Sequence, residues 1–362
     1  MKVAIVYDRV NKWGGAERVL LALHEIFPEA PLYTSVYDPK GAPWAKVFPA
    51  VVASFLQKFP LASSNHEFLA PLMPLAFESF DFSDYDLVIS VTSEAAKGIR
   101  TKPGTLHICY CLTPTRYLWS HHDDYFKDAV FKALTKPLVD YLRKWDKVAA
   151  SRPDKIIAIS TEVKNRIRKY YDMDSDIIFP PVNITSAGIN KESGKRHYLV
   201  VSRLVGYKNV DLAVEAFNKL GSLLIIVGAG KEEKRLKRRA RNNIKFVGQV
   251  SEKDLAKYYS GAKALIMPQE EDFGIVAVEA QSFGVPVIAY NKGGAIDTVI
   301  PGKTGIFFEQ QQPESLIGAV RKFEKMRFVV DNLYTNAQGF SKEVFKTKIL
   351  DLVSGMVGYK KT

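Results

Sequence analysis

The sequence predicts an α/β protein of two doubly wound, Rossmann-like parallel-sheet domains, and three observations carry the prediction. Through the C-terminal half, apolar runs of strand length alternate with amphipathic helical stretches almost without interruption. The N-terminal half opens in the same order, with a strand, a glycine turn, a helix and a second strand. Between the halves, Pro180-Pro-Val is followed up to Arg196 by a Ser, Gly, Asn and Lys-rich stretch with no periodicity, which reads as a domain boundary.

In chain order, Val3 to Tyr7 is apolar throughout, as a strand covered on both faces must be. A Gly-Gly turn, a helix over Ala16 to Ile26 and a strand at Leu32 to Val36 follow, then strands at Leu87 to Ser90, His107 to Tyr110 and Lys155 to Ile159. The second half gives strands at His197 to Val201, Leu223 to Val227, Ile244 to Val247, Ala264 to Met267, Val287 to Tyr290 and Gly305 to Phe308. Helical spacing lies between them at Val210 to Leu220, Glu252 to Ser260, Ile275 to Phe283 and Pro313 to Glu324, and Phe340 to Val357 reads as a final helix. The organisation is therefore a first domain over 1–183, a linker over 184–196, a second domain over 197–339 and a terminal helix within 340–362.

At 362 residues the chain can bury two cores, and a composition 47% hydrophobic and 25% charged excludes disordered and fibrous classes. The net charge of +12 suits anionic partners, whether nucleic acid, a phosphate-bearing substrate or an acidic membrane surface. Met1 to Tyr7 is too short an apolar run for a signal peptide, and no stretch reaches the roughly 18 to 20 apolar residues of a membrane span. The expected location is the cytoplasm, with peripheral attachment to the inner membrane face allowed. Cys109 and Cys111, two apart on a strand, share a face and read as buried thiols rather than a disulfide or metal site.

The most informative stretch runs from Ala264 to Ala289: a buried strand, an acidic turn with Glu271, a helix with Glu279, then Gly284-Val-Pro and another strand. Ligands of open parallel sheets sit at the carboxyl ends of strands, beside helix N-termini. Two carboxylates there, with the backbone of Phe273 and Gly274 between them, suit the hydroxyls of a sugar. Immediately after the strand at His197 to Val201, Arg203 and Lys208 supply the fork and the point charge that a diphosphate needs. Asn11 to Arg18 places Gly14 and Gly15 before a helix, where backbone can approach a phosphate closely. That loop lacks the Gly-x-Gly-x-x-Gly of dinucleotide folds, so Asp38 carries little weight as a ribose ligand.

The Glu271-x7-Glu279 spacing followed by Gly-x-Pro-Val resembles the signature of family 4 glycosyltransferases, retaining enzymes of the GT-B fold. Further stretches, Pro71 to Glu78, Cys111 to Trp119 and Pro180 to Asn183, are similar to bacterial O-antigen mannosyltransferases. The resemblance implies two domains facing a cleft, with the C-terminal helix crossing back to the first. It assigns Arg203, Lys208 and Glu271 to catalysis, the two cations stabilising the leaving diphosphate without a metal or other cofactor, and Glu271 holding the sugar. Donor binding would further involve Gly14, Gly15, Gly228, Gly230, Gln249, Val250, Phe273, Gly274 and Glu279, the last on the ribose. Gly293-Gly294 to Asp297 would pack beside the site, with Asp where the family commonly has Glu. Arg116 and His121 are acceptor-side candidates.

Where those mannosyltransferases read Cys-His-Thr-Pro, this chain has Leu112. By resemblance the donor is GDP-mannose and the acceptor a lipid-linked or cell-surface glycan. Other readings are a UDP-sugar donor, an epimerase or hydrolase of the same fold, and a non-catalytic nucleotide or polyanion binder. Asp172-Met-Asp174 reads as a solvated turn rather than a metal-nucleotide ligand, and the basic run Lys231 to Arg241 as a solvated helix face without the interleaved aromatics of a nucleic-acid site. Phe126 to Lys147 carries an apolar stripe edged by Lys and Arg, which suits either an anionic membrane or core packing with a basic rim.

Overall fold

The computed structural model describes residues 1–59, 66–120, 122, 128–184 and 196–359. The chain forms two compact units, one from Met1–Pro181 joined by the chain from Phe345 onward, the other from Val182–Val344. The first holds a seven-stranded parallel sheet of β1 (Val3–Tyr7), β2 (Leu32–Thr34), β3 (Val51–Ala53), β4 (Leu87–Thr92), β5 (Leu106–Cys111), β6 (Lys155–Ala158) and β7 (Asp176–Ile177). Its spatial order is β3-β2-β1-β4-β5-β6-β7. The second holds a six-stranded parallel sheet of β8 (His197–Val201), β9 (Leu224–Val227), β10 (Ile244–Gly248), β11 (Ala262–Met267), β12 (Val287–Tyr290) and β13 (Gly305–Phe308), ordered β10-β9-β8-β11-β12-β13.

Both orders reverse direction once, between β1 and β4 and between β8 and β11. Loops leaving neighbouring strands diverge there, which opens a crevice at the carboxyl ends. The sequence expects six strands in the second unit, and the structure has six within two residues of those bounds. In the first unit it also finds β3 and β7, which are three and two residues long and too short to display a period. Helices Ala295–Thr298 and Val330–Gln338 likewise go beyond the sequence reading.

Helix Val210–Leu220 shows how local pattern becomes packing. Val210, Ala213, Val214 and Phe217 lie one turn apart on a single buried face, against β8 and β9. The helix stops at Gly221, whose positive φ of 71° lets its N–H reach Phe217 O at 3.0 Å. Most of the expected linker, 185–195, lies outside the described residues. Val182 is tied into the second unit through its N–H to Phe340 O at 2.9 Å. The final helix is Lys342–Tyr359, and Phe345 within it packs edge-on against Tyr110 of the first unit at 5.7 Å between ring centroids. No helix among the described residues is long and apolar enough to cross a membrane.

Candidate functional site

The reversal between β8 and β11 collects Arg203, Lys208, Glu271, Phe273 and Gly274 of the residues singled out from sequence. The loop after β8 carries Arg203 and ends in a short 3-10 turn at Gly206–Lys208; the loop after β11 carries Gln269 and Glu271. Lys208 Nζ meets Glu271 Oε1 at 2.5 Å, with the two side chains only 11% and 19% exposed. Gln269 Nε2 donates to the same oxygen at 2.8 Å. Taking two charges largely out of water is costly, so the pair is a poor device for stability alone, and removing one partner leaves the other exposed to that cost.

The backbone beneath is built to allow these approaches. Gly294 N–H donates to Glu271 O at 2.7 Å, and a Cβ on Gly294 would lie 2.2 Å from Phe273 Cα. At Gly293, with φ +66°, a Cβ would come within 2.4 Å of Glu271 O. Gly228 and Gly230 hold their loop against the β8 loop in the same way, with a Cβ meeting Ser202 O at 1.9 Å and Leu204 O at 2.3 Å. These glycines are explained by loop-to-loop packing before any ligand is considered. Gly274 caps helix Ile275–Ser282 in the left-handed conformation and, as a glycine, supplies no side-chain bond to that helix start. Phe273 spends its ring on Phe340, at 5.6 Å between centroids, so only its backbone can serve a ligand.

The remaining residues spread around this centre. Arg203 is exposed, lies over the Tyr207 ring at 5.9 Å and donates to its hydroxyl. Glu279 accepts from Tyr259 OH at 3.0 Å, and Tyr259 is itself stacked on Phe283 at 5.3 Å. Gln249 is exposed and Val250 half-buried, just after Gly248, whose carbonyl accepts from Gly228 N–H at 2.8 Å. Gln269, Tyr207 and Tyr259 were not singled out from sequence. They lack a motif spacing and matter only because folding brings them against Glu271, Arg203 and Glu279.

This geometry coincides with the region that known families share. Residues 183–340 match the family Glycosyl transferases group 1. The chain is 28% identical over 206 residues to an uncharacterized glycosyltransferase of Methanocaldococcus jannaschii, covering 56% of this chain and 58% of that one. It is 36% identical over 131 residues to a GDP-mannose-dependent monoacylated alpha-(1-6)-phosphatidylinositol monomannoside mannosyltransferase of Corynebacterium glutamicum, covering 32% and 34%. The chain thus spans under two thirds of the length of either relative. The structure of Anabaena HepE in complex with UDP-glucose superposes with a TM-score of 0.71 at 19% identity, over 98% of this chain and all of that one. The fold is GT-B, two Rossmann-like domains, and the group 1 match falls on the second unit with its Lys208–Glu271 centre.

Outside the group 1 region, the first unit presents a different picture at its own reversal. Asp8, 2% exposed, accepts from Thr92 Oγ1 at 2.9 Å and from the backbone N–H groups of Ser93, Glu94, Ala95 and Ala96 at 2.6 to 3.0 Å. Arg9 pairs with Glu94 beside it. Glu17 of the Gly-Gly-x-Glu loop turns inward, accepting from Tyr7 OH at 3.3 Å, and burial raises its pKa above the usual carboxylate range. A Cβ on Gly14 would stand 3.1 Å from Glu17 Oε2, and Gly15 caps helix Ala16–Ile26 without a side-chain bond. Arg116 is half-buried in the loop whose Thr115 and Trp119 bond to Asp146 at 2.9 and 2.7 Å; His121 lies outside the described residues.

Cys109 and Cys111 are free and buried, and burial pushes the Cys109 thiol up to about 12, far from a reactive thiolate. Asp174 pairs with Lys164 at 3.1 Å and Asp172 ends helix Thr161–Tyr171 with φ 57°, as a turn. The Lys231 to Arg241 run contains helix Glu233–Arg239, whose Arg235 and Arg239 pair with acidic neighbours. In helix Ala129–Ala150, Val130, Leu134, Leu138 and Tyr141 are exposed, while Trp145 turns inward to donate to Glu78 Oε1 at 2.6 Å.

Proposed function

We propose that the protein is a retaining, sugar-nucleotide-dependent glycosyltransferase whose donor is held by the second unit. The observation that carries the reading is the Lys208–Glu271 pair at the β8/β11 reversal: a cation suited to a diphosphate and a carboxylate suited to sugar hydroxyls, side by side at the carboxyl ends of a parallel sheet. Arg203 and Lys208 bind and stabilise the diphosphate as negative charge gathers on it. Glu271 and the backbone at Phe273 and Gly274 hold the sugar, Glu279 the ribose, and the loops at Gly228, Gly230, Gln249 and Val250 the nucleotide. Gly14 and Gly15 offer further backbone to phosphate, and the first unit, with Arg116, takes the acceptor.

In this reaction the acceptor hydroxyl attacks the anomeric carbon on the face that the leaving group vacates. The bond from that carbon to the phosphate oxygen breaks, the hydroxyl proton passes to a phosphate oxygen, and the nucleoside diphosphate departs. No protein base is required, so Leu112 does not prevent it, and Arg203 with Lys208 makes a metal unnecessary. Loss of transfer in chelator, restored by a divalent cation, would contradict that last point.

GDP-mannose is the favoured donor, supported by the O-antigen mannosyltransferase resemblance and the GDP-mannose-dependent relative. A UDP-sugar is the second reading, favoured by the fold shared with HepE in its UDP-glucose complex. A lipid-linked or cell-surface glycan as acceptor would place the enzyme at the inner membrane face. The exposed stripe of Val130, Leu134, Leu138 and Tyr141, with Lys132, Arg143 and Lys144 on the same helix, suits an anionic membrane surface. Co-sedimentation with anionic but not neutral liposomes at low salt checks that contact. The donor test is thermal stability with GDP, UDP, ADP, NAD, GDP-mannose and UDP-sugars. One nucleoside diphosphate and its sugar should raise the melting temperature, and Glu279→Ala should abolish the shift; no shift with any of them favours the non-catalytic reading.

A further inference from the structure

We infer that Gln269 is a positioning residue that fixes the Glu271 carboxylate, holding one oxygen inside the protein and leaving the other for a sugar hydroxyl. The inference rests on reading the second unit as a sugar-nucleotide site. Gln269 is the second residue after β11 and is 2% exposed. Its Nε2 donates to Glu271 Oε1 at 2.8 Å, the same oxygen that Lys208 Nζ reaches at 2.5 Å. Among the described residues, no hydrogen-bond donor reaches Glu271 Oε2. The carboxylate is therefore engaged on one side only.

The orientation of the Gln269 amide follows from its neighbour, because turned the other way its carbonyl would face a carboxylate oxygen. In the orientation observed, Gln269 Oε1 is buried with no hydrogen-bond partner among the described residues. Burying an unpartnered acceptor costs stability, and an apolar side chain of similar length would avoid the cost. Packing thus does not account for an amide at this position. Its contact with Glu271 does, and a local rule broken in this way is expected where a site is being served.

The two donors on Oε1 respond differently to a ligand. Lys208 is a cation and is drawn toward an arriving diphosphate. Gln269 is neutral and buried, and its side chain bonds only to Glu271 among the described residues, so it keeps Oε1 when Lys208 turns away. Without it the carboxylate loses the bond that holds it when the diphosphate is bound. Gln269 should therefore affect recognition of the sugar and leave that of the diphosphate alone.

Calorimetric titration of the full chain with GDP, UDP, GDP-mannose and UDP-glucose tests this in Gln269→Leu, Gln269→Met and Glu271→Gln. In the Leu and Met variants, affinity for the preferred nucleotide sugar should fall about tenfold, while affinity for its bare nucleoside diphosphate stays within about twofold. Met is unbranched like Gln and keeps the volume, so it serves if the Leu variant does not fold. Equal losses for sugar nucleotide and diphosphate in both variants would make Gln269 merely structural. A sugar preference lost in Glu271→Gln but kept in both Gln269 variants would overturn the positioning role alone. A wild-type protein that binds none of the four nucleotides would overturn the reading of the site itself.

Discussion

The two sheets share one topological rule and use its consequence in opposite ways. At the β1/β4 reversal, the N–H groups of Ser93 to Ala96 all point at the Asp8 carboxylate, so the chain fills its own anion site. At the β8/β11 reversal, helix Ile275–Ser282 starts at Gly274 with no side-chain cap, and a buried cation, Lys208, lies over the Tyr207 ring and pairs with a carboxylate that can be exchanged for a ligand. Topology creates a crevice in both places. Side chains decide whether it becomes scaffold or site, and the difference is read from where each local charge finds its partner.

The comparison breaks most directly in a matched pair of substitutions. Asp8→Ala removes the acceptor of four backbone donors, those of Ala95 and Ala96 buried, and should cost the first unit about 3 kcal/mol in chemical denaturation, while nucleotide binding by the folded protein is retained. Glu271→Gln, which keeps the shape and an amide oxygen for Lys208, should do the reverse, lowering transfer about 100-fold or more in protein that stays folded. If Asp8→Ala abolished nucleotide binding in protein that remains folded, the first reversal would be a site and not a scaffold.

Acid sensitivity should sharpen the contrast. His107 on β5 is buried against Ser90 Oγ at 2.8 Å, and burial lowers its pKa to about 3. Between that value and its unfolded pKa near 6.5, the unfolded chain binds a proton that the folded unit does not. Stability is then flat above pH 6.5 and falls as the pH drops, by about 2 kcal/mol for this group at pH 5. Urea midpoints of wild type and His107→Gln across that range check it, and the variant should show the shallower decline. The smallest expected effect belongs to Arg203→Lys, which keeps charge but loses the fork. It should weaken nucleoside diphosphate binding about tenfold by calorimetry and leave the pH profile of stability unchanged.

The fold was largely legible because parallel strands buried on both faces are continuous apolar runs. Ile244, Leu265 and Ile288 announce their strands without help from tertiary context. The short strands β3 and β7 were not legible, since two or three residues carry no period and their existence depends on a neighbour's edge. Motif spacing brought attention to Arg203, Lys208 and Glu271, and two of these do meet. It had no means of finding Gln269 or Tyr259, whose importance is a contact, nor of seeing that Asp8 gathers donors from 84 to 88 residues away. The stripe on helix Ala129–Ala150 teaches the same lesson. Periodicity put Val130 and Trp145 on one face, but only the fold shows Val130 exposed and Trp145 bonded inward.

Amide hydrogen exchange with and without saturating nucleoside diphosphate, GDP and UDP in turn, tests the contrast between the two reversals most directly. The account predicts new protection in the loops at 202–208 and 269–276, with the amides at 92–96 already slow and unchanged. Protection appearing at 92–96, with none at 202–208, would contradict it.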